Sequence, residues 1–86
     1  MKLTILSPRE KLFQDEVKEV VLPGSDGEFS VWDFHQPFLY RLSQGYIKIV
    51  ARGQKRSGNI KSFEINDGMA KMNKNELTIM IEVPLK

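Results

Sequence analysis

The sequence predicts an all-β domain, a small sandwich or barrel with no long helix. Three observations predict it. Turn signals recur about every 8–12 residues, the spacing of short strands in such folds. The clearest segments alternate apolar with polar residues, as half-buried strands do. No stretch carries the apolar spacing of a helix of about ten residues or more. With 86 residues the chain is read as a single domain, 1–86.

The elements follow in order. Leu3 and Ile5 alternate with Lys2 and Thr4 in a first strand. Ser7-Pro8-Arg9-Glu10 is a turn, because Pro8 has no N–H and drives Ser7 from helical geometry. Lys11 to Gln14 reads as a short edge strand and Val17 to Leu22 as a stronger, β-branched one. Pro23-Gly24-Ser25-Asp26-Gly27 is a dense loop signal. Glu28 to Trp32 is extended, with Phe29 and Val31 on one face, and Asp33 to Pro37 is a loop.

Phe38 to Leu42 is a strand or one helical turn, since five residues leave the period open. Tyr46 to Arg52 is the clearest strand, with Ile47, Ile49 and Ala51 on one face. Gly53 to Gly58 is a polar hairpin connection, and Asn59 to Asn66 is the return strand. Asp67-Gly68 and Asn73-Lys74-Asn75 are turns on either side of Met69 to Met72. Leu77, Ile79 and Ile81 alternate with Thr78, Met80 and Glu82 in the final strand.

Composition excludes several classes. Apolar residues make up 41% and charged residues 28%, a globular balance rather than a disordered one. Without cysteine there is no disulfide or thiolate metal site, so the core alone holds the fold. No apolar run exceeds three residues, against the ~20 of a membrane-spanning helix. Met1-Lys2-Leu3-Thr4 opens no apolar signal segment, so no signal peptide is expected. The net charge is +2, split as −2 over residues 1–43 and +4 over residues 44–86, too mild by itself to imply nucleic-acid binding.

The searches for chemistry find little. His35 is the one histidine, and Ser30 lacks a nucleophile-elbow sequence. Asp26 and Glu28 are too few for a calcium loop, and a solvated turn accounts for them. Gly24 and Gly27 open a strand, not the helix a phosphate loop needs. No catalytic residue, cofactor or metal is expected. Arg52, Lys55 and Arg56, with Tyr46 and Phe63 nearby, keep open a second reading, a small β-barrel binding RNA or single-stranded DNA. The bland reading of that basic tip is a solvated hairpin that resists edge pairing. Trp32, Phe34, His35, Phe38 and Tyr40 put five rings into nine residues, more than so small a core can absorb. An exposed aromatic patch and a protein contact are expected there, with Trp32 as an anchor.

At this loop the sequence resembles the N-terminal β-sandwich of the epsilon subunit of F-type ATP synthases. Leu22-Pro23-Gly24, Gly27, Phe29, Val31, His35, Pro37 and Gly45 fall at the family's spacings, as do Gly68, Asn75 and Thr78. Leu3 to Ser7, Leu12-Phe13 and Val17 to Leu22 resemble its first strands. Ser30 stands where the family usually has glycine, Trp32-Asp33-Phe34 replaces a small x-Pro-Gly step, and Asp67 replaces the first glycine of a pair.

The resemblance implies two facing, mostly antiparallel five-stranded sheets. It implies a non-catalytic subunit that couples rotation of the gamma subunit to the ring of c subunits in a proton- or sodium-translocating ATP synthase. The location implied is peripheral, at the cytoplasmic face of a bacterial plasma membrane. Gly27, Glu28 and Phe29 would face polar loops of the c-ring, and Ser7, His35 and Tyr40 would face gamma. Because Pro84 closes off a continuing helix or strand and only two residues follow it, the family's C-terminal helical pair is expected to be absent.

Overall fold

The computed structural model describes residues 1–51 and 60–83, and every element in them is a strand. The strands are β1 (Lys2–Leu6), β2 (Lys11–Gly24), β3 (Gly27–Trp32), β4 (Phe38–Leu42), β5 (Gly45–Ala51), β6 (Ile60–Ile65), β7 (Asp67–Asn73) and β8 (Glu76–Glu82). They form an all-β sandwich. One layer runs β1-β8-β7-β4, with the first half of β2 flanking β1, and the other holds β3, the rest of β2, β5 and β6. All pairings are antiparallel except β1 with β8. The layers form one hydrogen-bonded path because β2 belongs to both.

β2 joins the two separate strands expected at Lys11–Gln14 and Val17–Leu22. Fourteen residues would span about 46 Å if straight, more than the 34 Å longest extent of the molecule, so the strand bends. The bend has a local cause. Opposite β5, Val17 pairs Ala51 and Glu19 pairs Val50, which leaves Lys18 as an extra residue in a bulge. The bulge also shifts the alternation by one. Val17 ahead of it and Val20 and Leu22 after it all enter the same core.

In β1, β5 and β8 the inward positions follow the predicted alternation. Leu3 and Ile5, Ile47 and Ile49, Ala70 and Met72, and Leu77, Ile79 and Ile81 meet in one cluster with Val31, Leu42 and Ile65. Aromatic rings close two flanks. Phe29 on β3 lies edge-on to Phe38 on β4 at 5.9 Å, and Phe13 on β2 meets Phe63 on β6 at 5.9 Å under the Lys61 ammonium.

Two turn signals lie inside strands. Pro23 pairs Glu28, and its carbonyl accepts the Ser43 N–H at 2.7 Å. Gly68 pairs Ile81 and Leu42, and a side chain there would stand 2.9 Å from the Met80 carbonyl oxygen. Close backbone approach, not chain reversal, accounts for that glycine. Asn66 alone links β6 to β7, its N–H donating to the Glu82 carbonyl at 2.8 Å.

Candidate partner-binding surfaces

The β2–β3 hairpin tip is held against the end of β4. Gly24 faces Gly27 across a two-residue loop and also pairs Leu42. A Cβ on Gly24 would lie 2.7 Å from the Gly27 carbonyl oxygen and 2.8 Å from the Phe29 ring. Ser25 N–H donates to the Arg41 carbonyl at 3.1 Å, and the Tyr40 hydroxyl donates to Asp26 Oδ2 at 2.9 Å. That bond, followed by desolvation and the Asp26 charge, raises the Tyr40 pKa above its ordinary 10.0. Gly27 and Glu28 stand in solvent, and Lys48 Nζ reaches Glu28 Oε2 at 3.5 Å. Phe29 is half-buried, with the Tyr40 ring 5.0 Å from its own. The structure therefore brings Gly27, Glu28, Phe29 and Tyr40 into one neighbourhood. An exposed ion pair of this kind contributes little to stability.

Ser7 sits at the same end of the β1-β8-β7-β4 layer, in the turn after β1. Its N–H donates to the Glu10 carbonyl at 2.9 Å. It borders a groove of about 430 Å³ lined by Leu6, Pro8, Arg41, Met69, Met80 and Ile81 among others. The register explains the groove. Leu6, Met80, Met69 and Arg41 lie side by side across β1, β8, β7 and β4 on the outer face. The next row is Thr4, Thr78, Lys71 and Leu39. Met80 is 51% exposed and Leu39 67%, so this face carries apolar side chains into solvent. These residues were not singled out by sequence. The available signal was apolar residues at both parities, as in Ile79-Met80-Ile81, which marks a strand with contacts on both faces.

Trp32, the last residue of β3, and His35, in the loop before β4, are at the other end of the sandwich, five residues along β4 from the tip. A tight turn carries them, closed by the His35 N–H donating to the Trp32 carbonyl at 3.2 Å. Phe34 is its third residue, at φ 60°. Type II turns require that sign and usually meet it with glycine. For a bulky side chain the left-handed region costs roughly 1–2 kcal/mol. The Phe34 N–H donates to Asn75 Oδ1 at 2.7 Å, and the Met1 amine pairs with Asp33. Phe34 is 81% exposed and Trp32 48%, whereas His35 lies edge-on to Phe38 at 5.2 Å. The ring-rich segment thus divides. Phe38 and Tyr40 join Phe29 along a flank, and Trp32 and Phe34 stay in solvent.

Ser7, Tyr40, Trp32 and His35 do not form one contiguous patch. Ser7 and Tyr40 lie toward the tip, Trp32 and His35 toward the opposite end. The Gly53–Gly58 connection, with Lys55 and Arg56, and Arg52 beside it lie outside the described residues. Among the described residues no group of three or more His, Cys, Asp or Glu side chains is placed to hold a metal. No helix there is long and apolar enough to cross a membrane.

A charged hairpin tip, an apolar groove on one sheet face and exposed rings at the far end are the three candidate contact surfaces of this β-sandwich domain. The chain belongs to the ATP synthase delta/epsilon chain β-sandwich domain family, whose model matches residues 1–84. It is 37% identical over 82 residues to the ATP synthase epsilon chain of a Sulfurovum species, covering 95% of this chain and 61% of that protein. It is 36% identical over 88 residues to the epsilon chain of a Nitratiruptor species, covering 100% of this chain and 65% of that one. The chain spans less than two thirds of these relatives. For the epsilon chain of Caulobacter vibrioides the figures are 32% identity, 95% of this chain and 90% of that protein.

Solved structures share the fold. A chain in the central stalk and c-ring structure of the Tetrahymena thermophila mitochondrial ATP synthase superposes with a TM-score of 0.78 at 16% identity, covering 95% of this chain and 63% of that one. A chain of the Euglena gracilis mitochondrial enzyme, in its OSCP/F1/c-ring structure, gives 0.81 at 22%, covering 92% and 48%.

Proposed function

We propose that this chain is a non-catalytic central-stalk subunit of an F-type ATP synthase, seated between the gamma subunit and the c-ring and coupling the rotation of one to the other. Membership of the epsilon-type sandwich family over nearly the whole chain carries the reading. The same reading puts the protein peripherally at the cytoplasmic face of a bacterial plasma membrane, with protons or sodium ions as the coupled species. Gly27, Glu28 and Phe29 at the hairpin tip meet the ring. A solvated, charged tip suits polar loops better than an apolar surface, because Glu28 and Lys48 keep their water there.

The gamma subunit takes the outer face of the β1-β8-β7-β4 layer. Ser7 borders that face, Tyr40 stands at its β4 edge with its ring turned to Phe29, and Leu39, Met69 and Met80 supply its apolar area. Trp32 and His35 extend the contact toward the far end. Methionines suit such a face because their flexible thioethers adapt to a partner.

The test is affinity purification of the tagged chain from detergent-solubilised membranes of its own host. Gamma and c subunits should co-purify in fixed proportion. Recovery of the chain alone from the soluble fraction, with a saturable shift of short RNA or single-stranded DNA at ~150 mM salt, would replace this reading with the nucleic-acid one.

A further inference from the structure

We propose that Phe34 is a specificity contact of this chain, an aromatic side chain held out at the far end of the sandwich to enter an apolar recess of the gamma subunit. The inference rests on the central-stalk reading and goes beyond it in naming a residue and what it meets.

Three observations carry it. Phe34 is 81% exposed, and an aromatic ring in water gains nothing for the fold by burial. Its backbone is at φ 60°, where glycine or asparagine would be unstrained. The turn is nevertheless rigid. It is closed from Trp32 to His35 and pinned by Asn75 Oδ1 on the Phe34 N–H. Strain at an exposed position that adds no packing points to a use outside the chain. A ring fixed in its bound geometry loses little freedom on binding, and Trp32 next to it enlarges the apolar area.

The occupant follows from position. The hairpin tip at Gly27 and Glu28 stands at the Leu42 end of β4, and Phe34 at the Phe38 end. A tip on the ring leaves the aromatic end directed away from it, along the stalk. Gamma is the partner available there.

The experiment uses the full chain and the gamma subunit of the same enzyme. Phe34→Gly and Phe34→Asn both remove the ring while suiting the left-handed backbone, and Phe34→Trp keeps an aromatic side chain. Titration calorimetry should show the Gly and Asn variants binding gamma about tenfold or more weakly, and the Trp variant within about threefold of the parent. Thermal melts of the same Gly and Asn variants should lie no lower than the parent. Equal affinity for gamma in all four proteins overturns the inference and leaves the central-stalk reading intact. A lower melting temperature with unchanged affinity overturns it in favour of a folding role. Retained gamma binding with lost c-ring association overturns the choice of partner. If the parent itself fails to bind gamma, the central-stalk reading falls, and this inference with it.

Discussion

The backbone N–H of Phe34 donates to the side-chain carbonyl of Asn75 at 2.7 Å, joining two turns that lie 41 residues apart in sequence. Asn75 has φ 58° and Lys74 φ 49°, so the β7–β8 hairpin closes through two left-handed residues, the pattern of a type I′ turn. The Asn75 carbonyl also accepts the Lys2 N–H at 3.2 Å. One side chain and its backbone therefore fix a tight hairpin, the aromatic turn and the start of β1.

Asn75→Ala should destabilise the domain by about 2 kcal/mol, from a lost hydrogen bond and a left-handed backbone without asparagine. Asn75→Gly keeps the backbone and loses only the bond, so about 1 kcal/mol is expected. Urea unfolding of both variants checks this. Equal losses would mean that the left-handed backbone adds nothing beyond the lost bond, and an unchanged Asn75→Gly midpoint would mean that the bond to Phe34 contributes nothing.

Gly24→Ala should cost about 2 kcal/mol or more, because overpacking against backbone has no cheap relief. The new methyl group would stand 2.7 Å from the Gly27 carbonyl and 2.8 Å from the Phe29 ring. Denaturant midpoints would report the loss.

The fold was largely legible because its strands obey simple alternation. The misreadings have definite causes. Exposed Asp15 and Glu16 interrupt the apolar pattern, so Lys11–Gln14 and Val17–Leu22 read as separate strands when they are one, and the Lys18 bulge resets the parity of the second part. Pro23 and Gly68 look like turn residues, yet they are in strands because neighbouring backbone comes too close for ordinary side chains or supplies donors to a free carbonyl. At the candidate surfaces, aromatic density located the loop but did not sort its rings. Phe38 and Tyr40 face Phe29 through non-local pairing that no local pattern encodes, whereas Trp32 and Phe34 remain outside. Leu39 and Met80 became visible only once register set them on one face.

Met80→Lys and Leu39→Lys should leave the melting temperature nearly unchanged, since surface substitutions usually stay within about 0.5 kcal/mol. Together they should weaken gamma binding by about tenfold or more. Titration calorimetry against gamma decides between this face and another. Normal binding by the double variant would remove the outer face from the interface.

Trp32→Ala should weaken stalk binding by about 2 kcal/mol if Trp32 anchors the contact. Binding and melting should be measured on the same sample. Normal binding with a much earlier melt would show that the half-buried part of the indole serves the fold instead.

The Tyr40 phenol should ionise above its ordinary 10.0, because Asp26 accepts its proton. The folded chain holds that proton more tightly than the unfolded chain. Its stabilisation is therefore fully present below about pH 10 and disappears as pH rises through the raised folded value. Phenolate absorbance in a Tyr46→Phe background measures it, and Asp26→Asn should bring the titration down. A Tyr40 titration unmoved by that substitution would show that the pair does not form in solution.

The bent strand β2 has a mechanical consequence. Sandwich layers that share only a greasy interior can slip past each other under sideways load. Here the 14 residues from Lys11 to Gly24 run through both layers, so slippage must stretch a covalent backbone and shear the ladders to β1 and β5 together. A twisting force that enters at the hairpin tip reaches the flank of β1 along a single polypeptide. In the proposed place between gamma and the c-ring, the sandwich would act as a stiff strut under torque, with little lost to internal creep.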